Sequence, residues 1–357
     1  MRKRTEAQTQ YTSRPRMVAA IGWFLSLASS AIAFGTEPET LQRFEYSEVH
    51  MGAEIRLVLY SASAATANRA AEKAYARIAE LNAILSDYDP KSELSLLSAS
   101  SGGSRAVPVS DDLWFVLERS QRLAVATEGA FDVTVGPIVK AWRSARRSHT
   151  FPSDDRLTRA RAPVGYKNLK LDAKSRTAEL LVPQMLLDLG GIAMGYAADE
   201  ALKEIRTYGI RSAMVDASGD VVCGDAPPGK EGWRIGIAPL NESKGPPSRY
   251  VVLKNGALTT SGDAFQFVEL NGRRYSHIVD PKTGLGLTTR SSVTVVADDG
   301  ITADSLATAV SVLGPEKGLQ LVKQTPGAAA LIVRAESEGI RISQTENFAD
   351  EPAEIAK

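Results

Sequence analysis

The sequence predicts an α+β fold in which antiparallel sheets carry packed helices. Some short segments alternate in character with a period of two, as in Ile55-Arg56-Leu57-Val58-Leu59-Tyr60. Longer segments place apolar residues three and four apart, as in Ala71, Ala74, Ile78, Leu81 and Leu85. Helices interrupt runs of strands instead of alternating strictly with them, which favours antiparallel pairing over a wound parallel sheet.

At the N-terminus, Arg2, Lys3, Arg4, Arg14 and Arg16 precede an apolar run, Met17 to Ala33, that ends Ala31-Ile32-Ala33. This pattern reads as a signal peptide at residues 1–33, cleaved near Ala33, for an exported protein of the bacterial periplasm. A spanning helix asks for about 20 apolar residues, so an uncleaved anchor is the alternative and no stable membrane span is expected after cleavage. No Cys lies near the junction, which speaks against a lipoprotein. Residues 34–43 read as a flexible lead, 44–342 as the folded domain, and 343–357 as a polar tail that frays.

Within the domain, the first helix should stop at Asp87-Tyr88-Asp89-Pro90, because the residue before a proline avoids the helical region. Ser98 to Arg105 reads as a loop. Ser110 should cap a helix from Asp111 to Glu128 that Gly129 ends. The basic, proline-containing stretch Arg143 to Arg161 reads as a surface excursion or a sub-domain boundary, its charges a solvated face in preference to a binding patch. A strand from Ala178 to Leu187 and a helix from Gly191 to Tyr208 follow. Strands are then expected at Ala213–Val215, Trp233–Ile237, Tyr250–Val252, Gln266–Leu270 and Val293–Val296, with a helix from Ala303 to Leu313.

The 357 residues are 43% hydrophobic and 24% charged, ample for a sizeable core. Forty-two basic side chains balance forty-two acidic ones, so no overall field favours nucleic acid as a partner. The single cysteine, Cys223, excludes an internal disulfide and reads as a buried small hydrophobe without a catalytic part.

Three constellations carry chemistry. In Leu187-Asp188-Leu189-Gly190-Gly191-Ile192-Ala193-Met194-Gly195-Tyr196 an apolar strand delivers an Asp and two glycines into a helix. Free N–H groups and the helix dipole there could hold a phosphate, or the Asp could simply cap a tight turn. Asp304 and Thr308, four apart, share a helical face, and two oxygens suit a hard cation such as Mg²⁺; the other reading is an Asp in a first helical turn. Thr259-Thr260-Ser261-Gly262-Asp263 is followed by Tyr275-Ser276-His277-Ile278-Val279-Asp280-Pro281-Lys282-Thr283-Gly284, where an imidazole could act as general base or be structural. Earlier, Gly129-Ala130-Phe131-Asp132-Val133-Thr134-Val135-Gly136-Pro137 sets an aromatic beside a carboxylate, with Phe131 readable as core.

Taken in order, these segments resemble the ApbE family of FAD:protein FMN transferases. The likeness includes Met51-Gly52 before the first strand, Leu85 to Leu94, Gly129 to Pro137 with Trp142, and Asp188 to Asp199. It continues through Ser218-Gly219-Asp220, Ser261-Gly262-Asp263, Ser276 to Gly284 and Asp304 to Thr308, spanning roughly residues 50 to 335. The resemblance implies a T-fold-like architecture, FAD as donor, Mg²⁺ at its pyrophosphate, and passage of the FMN half to a Thr or Ser hydroxyl while AMP leaves. It puts Gly191, Ala307 and Thr308 near the metal with Asp304 as carboxylate ligand. Met51, Tyr88, Ala130, Phe131, Asp132, Asp188, Met194, Ser261 and Asp263 fall to FAD, and His277 becomes the base. Met194 stands where relatives usually carry Lys or Glu, and Val133 where a proline is common, so FAD affinity is open to change. The implied acceptor is a flavoprotein of the envelope electron-transport type. Hydrolysis of FAD to FMN and AMP, or flavin binding without turnover, are the alternatives.

Overall fold

The computed structural model describes residues 40–240, 245–262 and 266–352. The expected signal peptide, the lead up to residue 39 and Asp263 lie outside the described residues. Strands β1 (Gln42–His50) and β2 (Ala53–Ser61) form a hairpin, followed by helix α1 (Ala64–Leu85) and the short α2 (Glu93–Ala99). Met51 and Gly52 both have positive φ, 52° and 76°, as a two-residue hairpin turn with the twist of its strands requires. Met51-Gly52 thus joins two strands instead of preceding the first. β1 also begins two residues before Phe44.

Then come β3 (Val107–Pro108), α3 (Asp111–Ala126), α4 (Gly136–Ser148), α5 (Asp154–Arg161), β4 (Leu169–Asp172), β5 (Thr177–Leu180) and α6 (Ala193–Thr207). Ser110 caps α3 as expected, its hydroxyl accepting from the Leu113 N–H. The basic stretch from Arg143 is helical, in α4 and α5, and Arg147, Arg156, Arg159 and Arg161 face water as expected, whereas Arg143 does not. Pro137 at the first turn suits a helix start, and Ile138, Ala141, Trp142 and Ala145 make a buried stripe. The strand expected to reach Leu187 ends at Leu180, because Pro183 interrupts it; only an isolated bridge, Val135 to Leu186, follows.

The remainder comprises β6 (Ala213–Ala217), β7 (Asp220–Cys223), β8 (Trp233–Ile237), β9 (Arg249–Leu253), β10 (Gly256–Gly262), β11 (Phe267–Leu270), β12 (Arg273–Ser276), β13 (Ser291–Ala297), α7 (Gly300–Lys323), β14 (Ala329–Glu336), β15 (Gly339–Gln344) and β16 (Glu351–Pro352). α7 is two helical segments meeting at Gly314 (φ 76°, ψ 179°), followed by Pro315.

An eight-stranded antiparallel sheet, in the order β1-β2-β6-β7-β10-β13-β14-β15, organises the molecule. Ile55, Leu57 and Leu59 of β2 join α1, α6 and α7 in the main core on one face. The intervening Val58 joins Met214, Cys223, Trp233 and Val251 in a second core beneath the β16-β9-β8 sheet. A third cluster packs α4 (Ile138, Trp142, Ala145) against the β11–β12 hairpin (Val268, Leu270, Tyr275) and Val279. The C-terminal stretch does not fray over its described length: Thr345 and Phe348 are buried and β16 pairs with β9. Among the described residues no helix is long and apolar enough to cross a membrane.

Candidate functional site

Two of the three constellations meet where α6 crosses α7. A Cβ on Gly195 would stand 2.2 Å from the Gly300 carbonyl oxygen, so only glycine lets the helices touch. That approach lets the Gly195 N–H donate to Asp304 Oδ2 at 3.1 Å. On the turn before α6, a Cβ on Gly191 would lie 2.8 Å from Thr308 Oγ1, so Gly191 and Thr308 face one another across a space that a methyl would fill.

Asp304 is buried, and burial, reinforced by the charge of Asp220, holds its pKa well above the ordinary carboxylate value. Asp220 is itself pushed up to about 6 by burial, and Asp199 to about 7, against the pull of the Gly300 and Ile301 N–H groups it accepts from. Among the described residues no three His, Cys, Asp or Glu side chains form a cage for a metal ion. The oxygens present still fit a magnesium ion, which needs few protein ligands and favours carboxylate and hydroxyl donors. A buried carboxylate with one backbone donor, one helical turn from Thr308, would be relieved by a cation. Ala307 offers only its carbonyl, which already accepts the Ser311 hydroxyl at 2.8 Å.

Asp188 anchors the turn. Its N–H donates to the Val133 carbonyl at 2.8 Å, and its Oδ1 accepts the Gly190 N–H at 2.9 Å. Its Oδ2 accepts from Arg143 Nη2 at 2.9 Å. Burial raises its pKa, as does the charge of Asp87, while Arg143 opposes both. Arg143 also pairs with Asp87, and its guanidinium lies 4.2 Å from the centre of the Tyr88 ring, which is 74% exposed. This arginine was hidden in a run of charges. The stripe of Ile138, Ala141, Trp142 and Ala145 does not single it out, since Arg143 lies on the other side of the helix from it.

Of the other residues assigned to FAD, Met51 sits in the β1–β2 turn and Met194 in the first turn of α6, both packed partly against the main core. Ala130 and Phe131 are buried, Phe131 as a member of that core. The Asp132 carboxylate accepts from the Thr134 N–H and hydroxyl and from the Tyr166 N–H, which ties it to the chain's own backbone. Burial raises its pKa nonetheless. Ser261 lies on β10 opposite Val293.

His277 follows β12 and is exposed. Its N–H donates to the Gln266 carbonyl at 3.0 Å, and Nδ1 lies 3.1 Å from the same oxygen. A carbonyl can only accept, so in the neutral ring Nδ1 carries the proton and Nε2 is the basic nitrogen. The loop beyond closes on itself: Asp280 accepts from the Lys282 N–H at 2.8 Å and the Thr283 hydroxyl at 3.0 Å. Trp142 Nε1 donates to the Gly284 carbonyl at 2.8 Å, binding this loop to α4. Trp142, Arg143, Ser276 and His277 line one hollow. One helical turn past Thr308, a cavity of about 410 Å³ opens among Ser311, Thr283, Leu287 and Arg334.

A model of the ApbE family matches residues 51–332. The FAD:protein FMN transferase of Haemophilus influenzae is 32% identical over 280 residues, covering 76% of this chain and 81% of its own. That of Vibrio cholerae is 29% identical over 318 residues, 88% of this chain and 94% of its own. Among solved structures, the flavin transferase ApbE from Vibrio cholerae superposes with a TM-score of 0.76 at 28% identity, covering 86% of this chain and 98% of that one. The ApbE protein of Thermotoga maritima gives 0.76 at 30% identity with the same coverage. A match over most of the chain's length, agreeing with the order of motifs and with the antiparallel architecture, leads to one conclusion: the chain belongs to the ApbE family.

Proposed function

We propose that this protein transfers FMN from FAD to a Thr or Ser hydroxyl of a target protein through a phosphoester bond, with Mg²⁺, and releases AMP. The observation that carries this reading is the juxtaposition of Asp304, Gly191 and Thr308 at one helix crossing, in a family whose named relatives are FAD:protein FMN transferases. A bound Mg²⁺ would neutralise charge on the FAD pyrophosphate.

The chain's own residues would do the rest. His277 Nε2 takes the proton of the acceptor hydroxyl, whose oxygen forms a bond to the flavin-side phosphorus as the bridging P–O bond breaks and AMP departs with that oxygen. The N–H of Gly191 lies just before a helix start, where an anion is favoured. Tyr88, Met51, Met194 and Asp188 border the flavin, and the cavity beyond Thr308 leaves room for the acceptor chain. On this reading residues 44–342 act as the transferase domain of an exported, periplasmic enzyme whose acceptor is an envelope redox flavoprotein.

Incubating the purified protein with FAD, Mg²⁺ and an acceptor domain carrying such a Thr should place covalent flavin on the acceptor, detectable by its fluorescence in a denaturing gel. His277→Ala should slow labelling by about 10²-fold or more with FAD binding retained. FMN and AMP appearing without labelled acceptor would establish hydrolysis in place of transfer. FAD binding with no turnover of either kind would leave a flavin-binding protein.

A further inference from the structure

The family resemblance gives Arg143 no part, yet its side chain touches three groups around the candidate flavin position. It pairs with Asp87, donates to Asp188 Oδ2 at 2.9 Å, and covers one face of Tyr88 at 4.2 Å. Asp87 and Tyr88 follow α1, whereas Asp188 precedes α6. One planar guanidinium thus ties together two segments far apart in sequence, which a lysine's point charge could not do with the same geometry.

Its own position is fixed from behind. Trp142, the neighbouring residue on α4, is buried in the third core and grips the Gly284 carbonyl at 2.8 Å. The same turn of α4 therefore holds the His277 loop with one side chain and the Tyr88 and Asp188 segments with the next. A side chain supported in this way can hold its contacts to a fraction of an ångström, as positioning requires.

We propose that Arg143 is a positioning residue for flavin binding, holding the Tyr88 ring as a stacking platform and neutralising Asp87 and Asp188 so that a diphosphate can enter beside them. The inference rests on the flavin-transfer reading of this site. With Arg143 on one face, the largely exposed ring offers its other face to a second planar system. Without Arg143, two carboxylates would face an incoming polyanion with their charge uncompensated, and like charges at close range repel.

The test combines equilibrium FAD binding, followed by quenching of flavin fluorescence without acceptor, with steady-state transfer to an acceptor domain. Arg143→Met should raise both the Kd and the KM for FAD by about tenfold while kcat changes less than about threefold, the signature of lost ground-state binding. Arg143→Lys, which keeps the charge and is milder on the fold, should shift both constants in the same direction by less. In a Tyr88→Leu background the effect of Arg143→Met should shrink, because the two side chains act through one contact. The proposal is overturned if both arginine variants leave Kd unchanged, if kcat falls with KM constant, or if the Arg143 and Tyr88 effects simply add. An unaltered protein that binds FAD but transfers nothing refutes the proposed function and leaves the binding comparison intact. Failure of the unaltered protein to bind FAD overturns both.

Discussion

Gly191 shows how a residue with no side chain can set a site's properties. The space its hydrogen leaves is the space in front of Thr308 Oγ1, 2.8 Å from where a Cβ would stand. Gly191→Ala should therefore push the Thr308 hydroxyl or the turn aside. The Mg²⁺ concentration giving half-maximal flavin transfer is expected to rise about tenfold, with the unfolding midpoint nearly unchanged because the turn is partly exposed. A magnesium titration of transfer rate checks this, and an unchanged half-saturation point would show that the space is not used. His277, Asp304 and Thr308 were legible as residues because hydroxyl, carboxylate and imidazole groups stand out by type and spacing. Arg143 was not, since nothing in a basic run says which member turns inward. The sequence also could not show that Asp132 is taken up by Thr134 and Tyr166, because Tyr166 comes from an element 34 residues away.

At the scale of elements, the α6–α7 crossing governs the site. Gly195 and Gly300 each lie within 2.5 Å or less of the other's carbonyl oxygen once a Cβ is imagined, so the contact is backbone against backbone. Gly195→Ala should separate the helices and destabilise the fold by about 1–3 kcal/mol, through overpacking, while stretching the Gly195 bond to Asp304. Denaturant unfolding monitored by circular dichroism measures the first effect. A stability within about 0.5 kcal/mol of the unaltered protein would mean the crossing yields without cost. Helices with one buried face, α1 and α3, show their period plainly, and β2 was readable because Arg56 breaks its apolar run. The strand β14 was silent because both its faces are covered, leaving an unbroken run, Ala329-Ala330-Leu331-Ile332-Val333, that has no period to read. β1 was silent for the opposite reason, being mostly exposed along its length.

For the molecule as a whole, buried carboxylates make stability depend on pH. Asp199 is raised from 3.8 to about 7 and Asp220 to about 6, both by burial. The folded state therefore keeps protons that the unfolded chain releases between the ordinary carboxylate value and about pH 7. Stability contributed by the protonated groups is complete below that window, declines as pH rises through it, and levels off above. The metal-free protein should accordingly show a lower unfolding midpoint at about pH 8 than at about pH 5, and Asp199→Asn should flatten part of that slope. A midpoint that is level or rising across this range in scanning calorimetry would contradict the assignment. The α+β class and antiparallel pairing followed from pattern alone, whereas the placement of the chain's end did not. Phe348 closes the second core against residues such as Trp233, Val251 and Leu331, and β16 then pairs with β9. A chain synthesised from its N-terminus onward cannot complete that core until Phe348 has left the ribosome. Until then the second core, already covered by β8 and β9, stays open at the place that Phe348 fills.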